Sequence, residues 1–279
     1  MSNFLHDFMI EKHVKDALQE DIGFGDITTD FLAEDSDILS GSLNTREDGI
    51  LCGSEVFKKV FKVLSDKVEI EFFFKDGDKI AKGDKIASIS GPARFVLTGE
   101  RTALNYIQRL SGISTETNKY QKSIGDYSAK IVDTRKTTPN FRIFEKYAVI
   151  TGGGSLHRFN LSDCAMIKDN HIRLAGSITN AVTKLRKNIS HAHKIEVECD
   201  TIEQVKEALS CKADIIMLDN MTLEQMKQAC DIINKQAIVE ASGNVNLKTV
   251  KDIASVGVDI ISSSAIVAKA PTLDLALDI

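Results

Sequence analysis

The chain has 279 residues, a hydrophobic content of 43%, a charged content of 27% and a net charge of −5. This length allows one large α/β unit or two smaller domains. The net negative charge and the aromatic content of only 6% argue against a protein that coats nucleic acid, because such proteins are usually basic and stack bases on aromatic rings.

The first half of the chain, to about residue 110, predicts a domain of mixed helices and strands, because helical and alternating apolar patterns follow one another within it. The predicted elements, in chain order, are a helix near Ile10–Glu20, a helix that Ser54 caps and that runs to Leu64, a strand from Val68 to Phe74, hairpins over residues 76–93 and a long helix that includes Ala103 and Leu110.

The hairpin segment DGDKIAKGDKIASISGPA, residues 76–93, also resembles the hairpin of a lipoyl or biotinyl carrier domain. A carrier needs a modifiable lysine at a turn with characteristic flanking residues, and the segment lacks that arrangement. A small β sandwich is therefore favoured, and a carrier module remains an alternative that an intact-mass measurement would test.

The second half alternates apolar, β-branched segments with helical patterns, which is typical of parallel strands joined by crossover helices. The predicted strands are Lys130–Asp133, Ala165–Lys168, Lys194–Cys199, Asp214–Asp219, Ala237–Ala241 and Asp259–Ser262. The predicted helices are Ile178–Lys187, Ile202–Leu209, Leu223–Ile233 and Leu247–Ala254.

Polar residues lie at or near the ends of these strands, which favours a barrel over an open doubly wound sheet. In a βα barrel the carboxyl ends of all strands meet at one mouth, where catalytic groups collect. The residues in question are Arg135, Lys168, Glu198, Asp219, Ser242 and Ser263.

The segment from Arg135 to Lys168 contains six Lys or Arg residues and two acids, although the whole chain is acidic. A charge run is usually a solvated surface. Here, however, cations follow two predicted strand ends, and the glycines at 152–154 would let backbone N–H groups approach an anion. We therefore expect a pocket for a multiply charged anion, lined in part by Arg135, Arg158 and Lys168.

No export signal is predicted, since Asp7 and Glu11 interrupt the apolar stretch at the N-terminus, and no apolar run approaches the roughly 18 residues of a membrane span. The five cysteines form no C-x-x-C pair, and their odd number does not suit a disulfide framework. A cytoplasmic protein without membrane or nucleic-acid partners is expected.

Four motifs resemble the quinolinate phosphoribosyltransferase family, also called decarboxylating nicotinate-nucleotide pyrophosphorylases: DTRKTTP at 133–139, KYAV at 146–149, GGGSLHR at 152–158 and IKDNH at 167–171. Supporting segments run along nearly the whole chain: EDIGFGDITTD at 20–30, ERTALN at 100–105, KIEVEC at 194–199, ADIIMLDN at 213–220 and VEASGN at 239–244. The match is dense and ordered, so it is specific at the level of the family.

This resemblance implies an α/β fold with an N-terminal open-faced α/β sandwich over 1–110 and an incomplete, seven-stranded-type α/β barrel over 111–270. A tail at 271–279 would return to the N-terminal domain. The family's enzymes join quinolinate to phosphoribosyl pyrophosphate in NAD biosynthesis and release pyrophosphate and carbon dioxide, giving nicotinate mononucleotide. The resemblance also implies a homodimer, or a larger assembly of dimers, in which one subunit's N-terminal domain caps the other's barrel mouth.

The resemblance also implies roles for individual residues. Quinolinate would be held by Arg101 of the partner subunit and by Arg135, Lys136, Thr137, His157, Arg158 and Lys168. Lys168, Glu198 and Asp219 would be catalytic. Ser242, Gly243, Asn244, Ser263, Ser264 and Ala265 would take the 5′-phosphate. Mg²⁺ would accompany phosphoribosyl pyrophosphate near Glu198 and Asp219, with no metal fixed by the protein alone.

The sequence departs from the family pattern at Leu156, where Asn is usual, at Ser264, where Gly is usual, and at Val267 and Ala268, where a Thr-His pair is usual. These departures leave the exact substrate preference open. The ModD-like branch, linked to molybdenum uptake, shares the DTRKTTP signature but lacks the lysine of IKDNH. Lys168 is present, which favours the quinolinate enzyme over that alternative.

Overall fold

The computed structural model describes residues 4–279 and divides the chain into two compact units. The first unit contains Met1–Asn118, Ile143–Gly153 and Ala270–Ile279, and the second contains Lys119–Arg142 and Gly154–Lys269. The first three residues of the predicted 1–110 domain lie outside the described part of the chain. Each unit combines segments that are separated in the sequence, whereas each predicted domain is one continuous segment. The predicted domain boundaries at 110 and 270 therefore stay predictions.

Elements up to the middle of the chain belong mainly to the first unit. They are α1 (Asp7–Ile22), α2 (Thr29–Leu32), β1 (Ile38–Thr45), β2 (Gly49–Ile50), α3 (Ser54–Leu64), β3 (Glu69–Phe72), β4 (Lys79–Ile80), β5 (Lys85–Pro92) and α4 (Ala93–Ile124). The long predicted helix is thus α4, and the hairpin region gives β4 and β5.

The remaining elements begin with β6 (Lys130–Val132), α5 (Arg142–Thr151), β7 (Ala165–Ile167), α6 (Asp169–Ala175), α7 (Ile178–Asn188) and β8 (Ile195–Cys199). They continue with α8 (Ile202–Ser210), β9 (Ile215–Asp219), α9 (Leu223–Ile233), β10 (Ile238–Ser242), α10 (Val250–Ser255), β11 (Ile260–Ser262), α11 (Ala265–Ala268) and β12 (Leu275–Asp278).

The first unit is built on a four-stranded sheet with the order β12-β1-β5-β3, in which all neighbours are antiparallel. Leu43 of β1 lies opposite Leu277 of β12 and Ala87 of β5, and all three are buried. The alternating burial of β5 shows that one face of the sheet is covered while the other is more exposed. This is the predicted open-faced sandwich.

The start of α3 differs from the prediction that Ser54 caps it. Ser54 is the first helical residue, and Gly53 precedes the helix with a φ of 104°, a backbone conformation that favours glycine. The carboxylate of Asp76 accepts hydrogen bonds from the Gly53 N–H, at 2.9 Å, and from the Ser54 N–H, at 3.0 Å. A distant aspartate therefore caps α3, which local sequence could not show.

Helix α5 was not predicted, and it removes two cations from the expected pocket. Within α5, Lys146 has no exposed surface, and Arg142 donates hydrogen bonds to Thr137 Oγ1 and to the Phe159 carbonyl. The glycine prediction is also wrong for Gly152 and Gly153, because their N–H groups bond to the carbonyls of Ala148 and Ile150 and so close the end of α5.

The second unit is a six-stranded parallel sheet with the order β6-β11-β10-β9-β8-β7, which gives the barrel-like architecture expected. All six predicted strands are present. Side chains of Ser177, Thr201 and Thr222 accept hydrogen bonds from the first turns of α7, α8 and α9, so a capping residue starts each of these helices, soon after a strand for α8 and α9 and after α6 for α7.

The barrel is incomplete, because β6 and β7 form the two ends of the sheet. An isolated parallel bridge joins Ser155 to Val132 of β6 and marks a seventh position beyond that strand. In the part of the chain that the structure describes, no helix has the length and apolar character needed to cross a membrane.

Candidate active site

A cavity of about 390 Å³ opens at the carboxyl ends of the barrel strands, entirely within the second unit. It is lined by Thr134, Arg135, Lys136, His157, Arg158, Met166, Lys168, Glu198, Met217, Asp219, Glu240, Ser242 and Ser262. Each lining residue lies on a strand or shortly beyond a strand end or the Ser155 bridge, as expected for the mouth of a βα barrel.

The lining has an upper level at the strand ends and a lower level one pleat beneath. Lys168, Glu198, Asp219 and Ser242 form the upper level, and Met166, Met217 and Glu240, each two residues earlier in the chain than an upper-level residue, form the lower level. Glu196 holds the matching position before Glu198 but does not line the cavity. Side chains two residues apart in a strand point to the same face, so both levels face the barrel interior.

Four cations face the cavity, and they come from three separate segments. Arg135 and Lys136 follow β6, Arg158 follows the Ser155 bridge, and Lys168 follows β7. Burial, together with repulsion from Arg158 and Arg142, lowers the pKa of Arg135 from its ordinary value. This crowding of positive charge disfavours the cations in an empty cavity and would be relieved by a bound anion.

Lys168 and Glu198 are paired across neighbouring strand ends, with the lysine Nζ donating to the glutamate carboxylate. Asp219 accepts a hydrogen bond of 2.8 Å from the side-chain amide of Asn220, which has a left-handed φ of 53°. The two carboxylates therefore have fixed orientations beside the cations, which suits hydroxyl groups of a bound sugar.

His157 lies at the floor of the cavity, and its polar atoms are engaged by the protein. Its backbone N–H donates to Asp133 Oδ1 at 2.9 Å, and its Nδ1 accepts the Arg158 N–H at 2.7 Å. Its Nε2 lies 3.4 Å from a Glu240 oxygen and 3.5 Å from a Glu196 oxygen. Burial alone would lower the pKa of His157, but the two glutamates outweigh it and raise this pKa to about 10.

Glu196 and Glu240 are almost completely buried, with 0% and 2% of their surface exposed. Burial raises the pKa of Glu196, since the charged form is poorly solvated there. Together with His157 they form the one group of three potential metal-ligating side chains found among residues 4–279. Neither glutamate was among the predicted site residues.

Several predicted residues do not line the cavity. Thr137 Oγ1 accepts the Arg142 Nε hydrogen bond, and Arg101 lies exposed on α4 in the first unit. The predicted phosphate-binding residues beyond the lining follow β10 and β11 directly, next to Ser242 and Ser262; they are Gly243, Asn244, Ser263, Ser264 and Ala265.

Gly243 can only be glycine here, because a Cβ would lie 2.2 Å from Asn220 Oδ1 and its φ is 88°. The Asn244 side-chain amide donates to the same Asn220 oxygen at 3.0 Å. The turn after β10 is thus held against the turn after β9, which fixes the edge of the mouth.

The chemistry of the upper level can be compared with the needs of Mg²⁺, which prefers oxygen ligands and retains water. Glu198 is already paired with Lys168, which leaves Asp219 as the less engaged carboxylate. Glu198 and Asp219 fit a Mg²⁺ ion that is bound by the phosphates of a ligand and contacts the protein through its water ligands. We assign this ion no direct protein ligand.

Models of two known protein domains match almost the whole chain. The quinolinate phosphoribosyl transferase N-terminal domain matches residues 26–111, and the quinolinate phosphoribosyl transferase C-terminal domain matches residues 113–278.

Individual relatives agree with the domain models. A Synechocystis protein named as a probable nicotinate-nucleotide pyrophosphorylase (carboxylating) is 42% identical over 274 residues, covering 97% of this chain and 92% of that protein. The tobacco quinolinate phosphoribosyltransferase (decarboxylating) 2b, mitochondrial, is 37% identical, covering 97% of this chain and 82% of its own. The crystal structure of NadC from Streptococcus pyogenes has a TM-score of 0.96 and 41% identity, covering 100% of this chain and 98% of that one.

Proposed function

Because this chain belongs to the quinolinate phosphoribosyl transferase family, we propose that it joins quinolinate to phosphoribosyl pyrophosphate and forms nicotinate mononucleotide, pyrophosphate and carbon dioxide. The chain is a phosphoribosyltransferase, an enzyme of NAD biosynthesis. The observation that carries this conclusion is the group of four cations facing one cavity at the barrel mouth. The molybdenum-associated alternative is not favoured, since the curated relatives are pyrophosphorylases.

Quinolinate has two carboxylates, and the four cations offer matching charge from different directions. Arg135 and Arg158 present planar guanidinium forks that suit carboxylates, whereas Lys136 and Lys168 are compact point charges. His157 would form the floor beneath the pyridine ring. The main contribution of these side chains is electrostatic, because charge on the ring and on the departing pyrophosphate must both be stabilised in the transition state.

Glu198 and Asp219 would bind the ribose hydroxyls and so orient the sugar carbon toward the ring nitrogen of quinolinate. Holding both reactants in line lowers the barrier without a covalent intermediate. Mg²⁺ would enter with phosphoribosyl pyrophosphate and neutralise charge on the leaving pyrophosphate. The 5′-phosphate would lie at the turns after β10 and β11, where Ser242 and Ser262 already line the cavity.

We further propose a homodimer in which Arg101 of one subunit reaches the barrel mouth of the other. Arg101 is exposed in the first unit and lines a groove there together with residues of β12. Because Arg101 is exposed, its guanidinium is available to bind an anion held at the barrel mouth of a second subunit.

The reaction is tested directly by incubating the purified protein with quinolinate, phosphoribosyl pyrophosphate and Mg²⁺ and measuring nicotinate mononucleotide. Calorimetry with quinolinate, other pyridine carboxylates and molybdate would show which anion the cavity prefers. Absence of product at high enzyme concentration, with molybdate binding instead, would contradict the proposal.

The shared site is tested by mixing two inactive variants, Arg101→Ala and Lys168→Ala, under conditions that let subunits exchange. A mixed dimer would contain one intact site, so activity should return. Mixing Arg158→Ala with Lys168→Ala is the matched control, because both changes lie in the same barrel and no intact site can form. Equal recovery in both mixtures, or in neither, would contradict the shared site.

The cytoplasmic location stays a prediction from the sequence. A relative of the same family in tobacco is mitochondrial by name, so family membership alone does not assign a compartment.

A further inference from the structure

At the floor of the cavity, His157 and the two buried glutamates Glu196 and Glu240 form a cluster whose protons the roles proposed above do not use. His157 Nε2 faces oxygens of Glu240 and Glu196 at 3.4 and 3.5 Å, and His157 and Glu240 also line the cavity. Three of the four carboxylate oxygens, both of Glu196 and Oε1 of Glu240, make no hydrogen bond of good geometry with the described residues. Buried carboxylates in this condition are costly if both are ionised, so the cluster must hold protons.

The hydrogen bonds show where those protons lie. Nδ1 of His157 accepts the Arg158 N–H, so that nitrogen carries no proton and the ring proton is on Nε2, between the glutamates. The two glutamates raise the pKa of His157 to about 10, so the cluster holds a second proton besides the one on Nε2, and the Arg158 hydrogen bond keeps this second proton off Nδ1. The second proton therefore belongs to a glutamate, in keeping with the raised pKa of Glu196.

Two charged residues, Arg158 and Asp133, lie next to the cluster, and they belong to different segments of the chain. Arg158 lies on the same segment as His157 and lowers the pKa of Glu196, while Asp133, after β6, accepts the His157 N–H. The Arg158 guanidinium donates to the Cys164 carbonyl at 2.6 Å and, among the described residues, forms no ion pair with either glutamate. Its charge acts on the cluster only from a distance, so the glutamates can keep a proton close to the cavity.

The proposed reaction creates a need for a proton at this level. When the carboxylate leaves as carbon dioxide, the C–C bond breaks and its electron pair stays on the ring carbon, next to the nitrogen that now bears the sugar. As the bond breaks, that carbon must take up a proton, and the product is nicotinate mononucleotide.

We propose that the His157–Glu196–Glu240 cluster supplies this proton, an inference that rests on the proposed function. As the C–C bond breaks and carbon dioxide departs, the cluster's acidic proton passes to the ring carbon, where the electron pair of the broken bond forms the new C–H bond. The cluster is left with one proton fewer. Water entering the cavity restores that proton before the next turnover. Glu240, which lines the cavity, is the group through which the proton leaves, and Glu196 and His157 are positioning residues that share it.

The test uses Glu240→Gln and Glu196→Gln, which preserve shape but remove one proton-holding group each. Pyrophosphate, carbon dioxide and nicotinate mononucleotide are measured in the same single-turnover reaction. In both variants we expect carbon dioxide release to slow on the order of 10²-fold or more, a typical loss for a general acid, while pyrophosphate release is much less affected. The undecarboxylated mononucleotide should accumulate. Glu203→Gln, on the exposed side of α8, is the matched control and should release both products equally.

A second measurement needs no variant. In the wild-type protein, carbon dioxide release should be slower in D₂O than in H₂O, whereas pyrophosphate release should not be. Folding of each variant is checked by circular dichroism and by quinolinate binding.

The outcomes separate this proposal from the function itself. If the wild type makes nicotinate mononucleotide but both variants release pyrophosphate and carbon dioxide at an unchanged one-to-one ratio, the cluster is structural and the proton proposal fails alone. If the wild type makes no product, the proposed function fails. A stoichiometric divalent metal retained after dialysis against a chelator, and lost in Glu240→Gln, would also overturn the proposal, since a metal would displace the protons.

Discussion

The Lys168 Nζ donates a hydrogen bond to the Glu198 carboxylate, so the carboxyl ends of β7 and β8, which pair in the sheet, are also joined by charge. The pair is unequal in exposure, because 43% of the lysine side chain is accessible and only 17% of the glutamate. Lys168 can therefore turn toward a bound anion while Glu198 stays in place.

Lys168→Ala should lower kcat/KM by on the order of 10²–10³-fold, because it removes a substrate cation and leaves the half-buried Glu198 carboxylate unpaired. Steady-state kinetics with both substrates would measure this loss. Lys187→Ala, on an exposed face of α7, is the control and should change kcat/KM by less than about twofold, as is usual for surface substitutions. An active Lys168→Ala variant would contradict the assigned role.

Asp76→Ala should destabilise the first unit by about 1–3 kcal/mol, because α3 loses its cap and a buried hydroxyl loses its acceptor. The Tyr147 hydroxyl donates to Asp76 Oδ2 at 2.8 Å, and burial together with the Asp76 charge raises the pKa of Tyr147 well above its ordinary value. Urea unfolding of Asp76→Ala, Tyr147→Phe and the double variant would give the coupling energy. Additive losses would show that the pair is not coupled, and the exposed Asp66→Ala serves as the control.

Gly112→Ala should destabilise the protein by about 1–3 kcal/mol or more, as overpacking in a close contact does. A Cβ at this position would lie 1.9 Å from the Pro271 carbonyl oxygen, and a backbone atom cannot move aside as a side chain can. Thermal unfolding would measure the loss. Lys122→Ala, at an exposed position of the same helix α4, should shift stability by no more than about 0.5 kcal/mol.

The cluster beneath the mouth should make stability depend on pH. The pKa of His157 is raised from 6.5 to about 10 by Glu196 and Glu240, with which it shares the cluster's second proton, so folding takes up a proton into the cluster between these pH values. Its contribution is fully present below pH 6.5 and is lost as the pH rises through about 10. The difference in unfolding free energy between the wild type and His157→Gln should therefore shrink steadily over this range in urea titrations. A constant difference would show that the cluster holds no extra proton.

The barrel was predictable because its signals are local. Each strand is a short apolar run followed by a helix, which is capped in units such as β8 and α8, and the alternation of strands and helices indicates a parallel sheet. Helix α5 was missed because its cations suggested a solvated or ligand-binding segment, yet Lys146 is fully buried. Burial of a lysine depends on distant partners that a sequence pattern does not reveal.

The upper level of the site was predicted, but Glu196 and Glu240 were not. Both stand two residues before a predicted site residue, Glu198 and Ser242 respectively, on a strand whose period is two. Applying that period below the strand ends would have placed both glutamates inside the barrel. Their closeness to His157 could not be found that way, because it depends on the curvature of the sheet.

The pairing of β12 with β1 affects the order in which the protein can fold during synthesis. Asn44 bonds to the Asp278 side chain across 234 positions, and the whole barrel is translated between these two residues. Until β12 emerges from the ribosome, β1 is an open sheet edge, which is where nascent chains are most exposed to wrong pairing. The barrel strands can therefore pair with one another before β12 is available to complete the four-stranded sheet of the first unit.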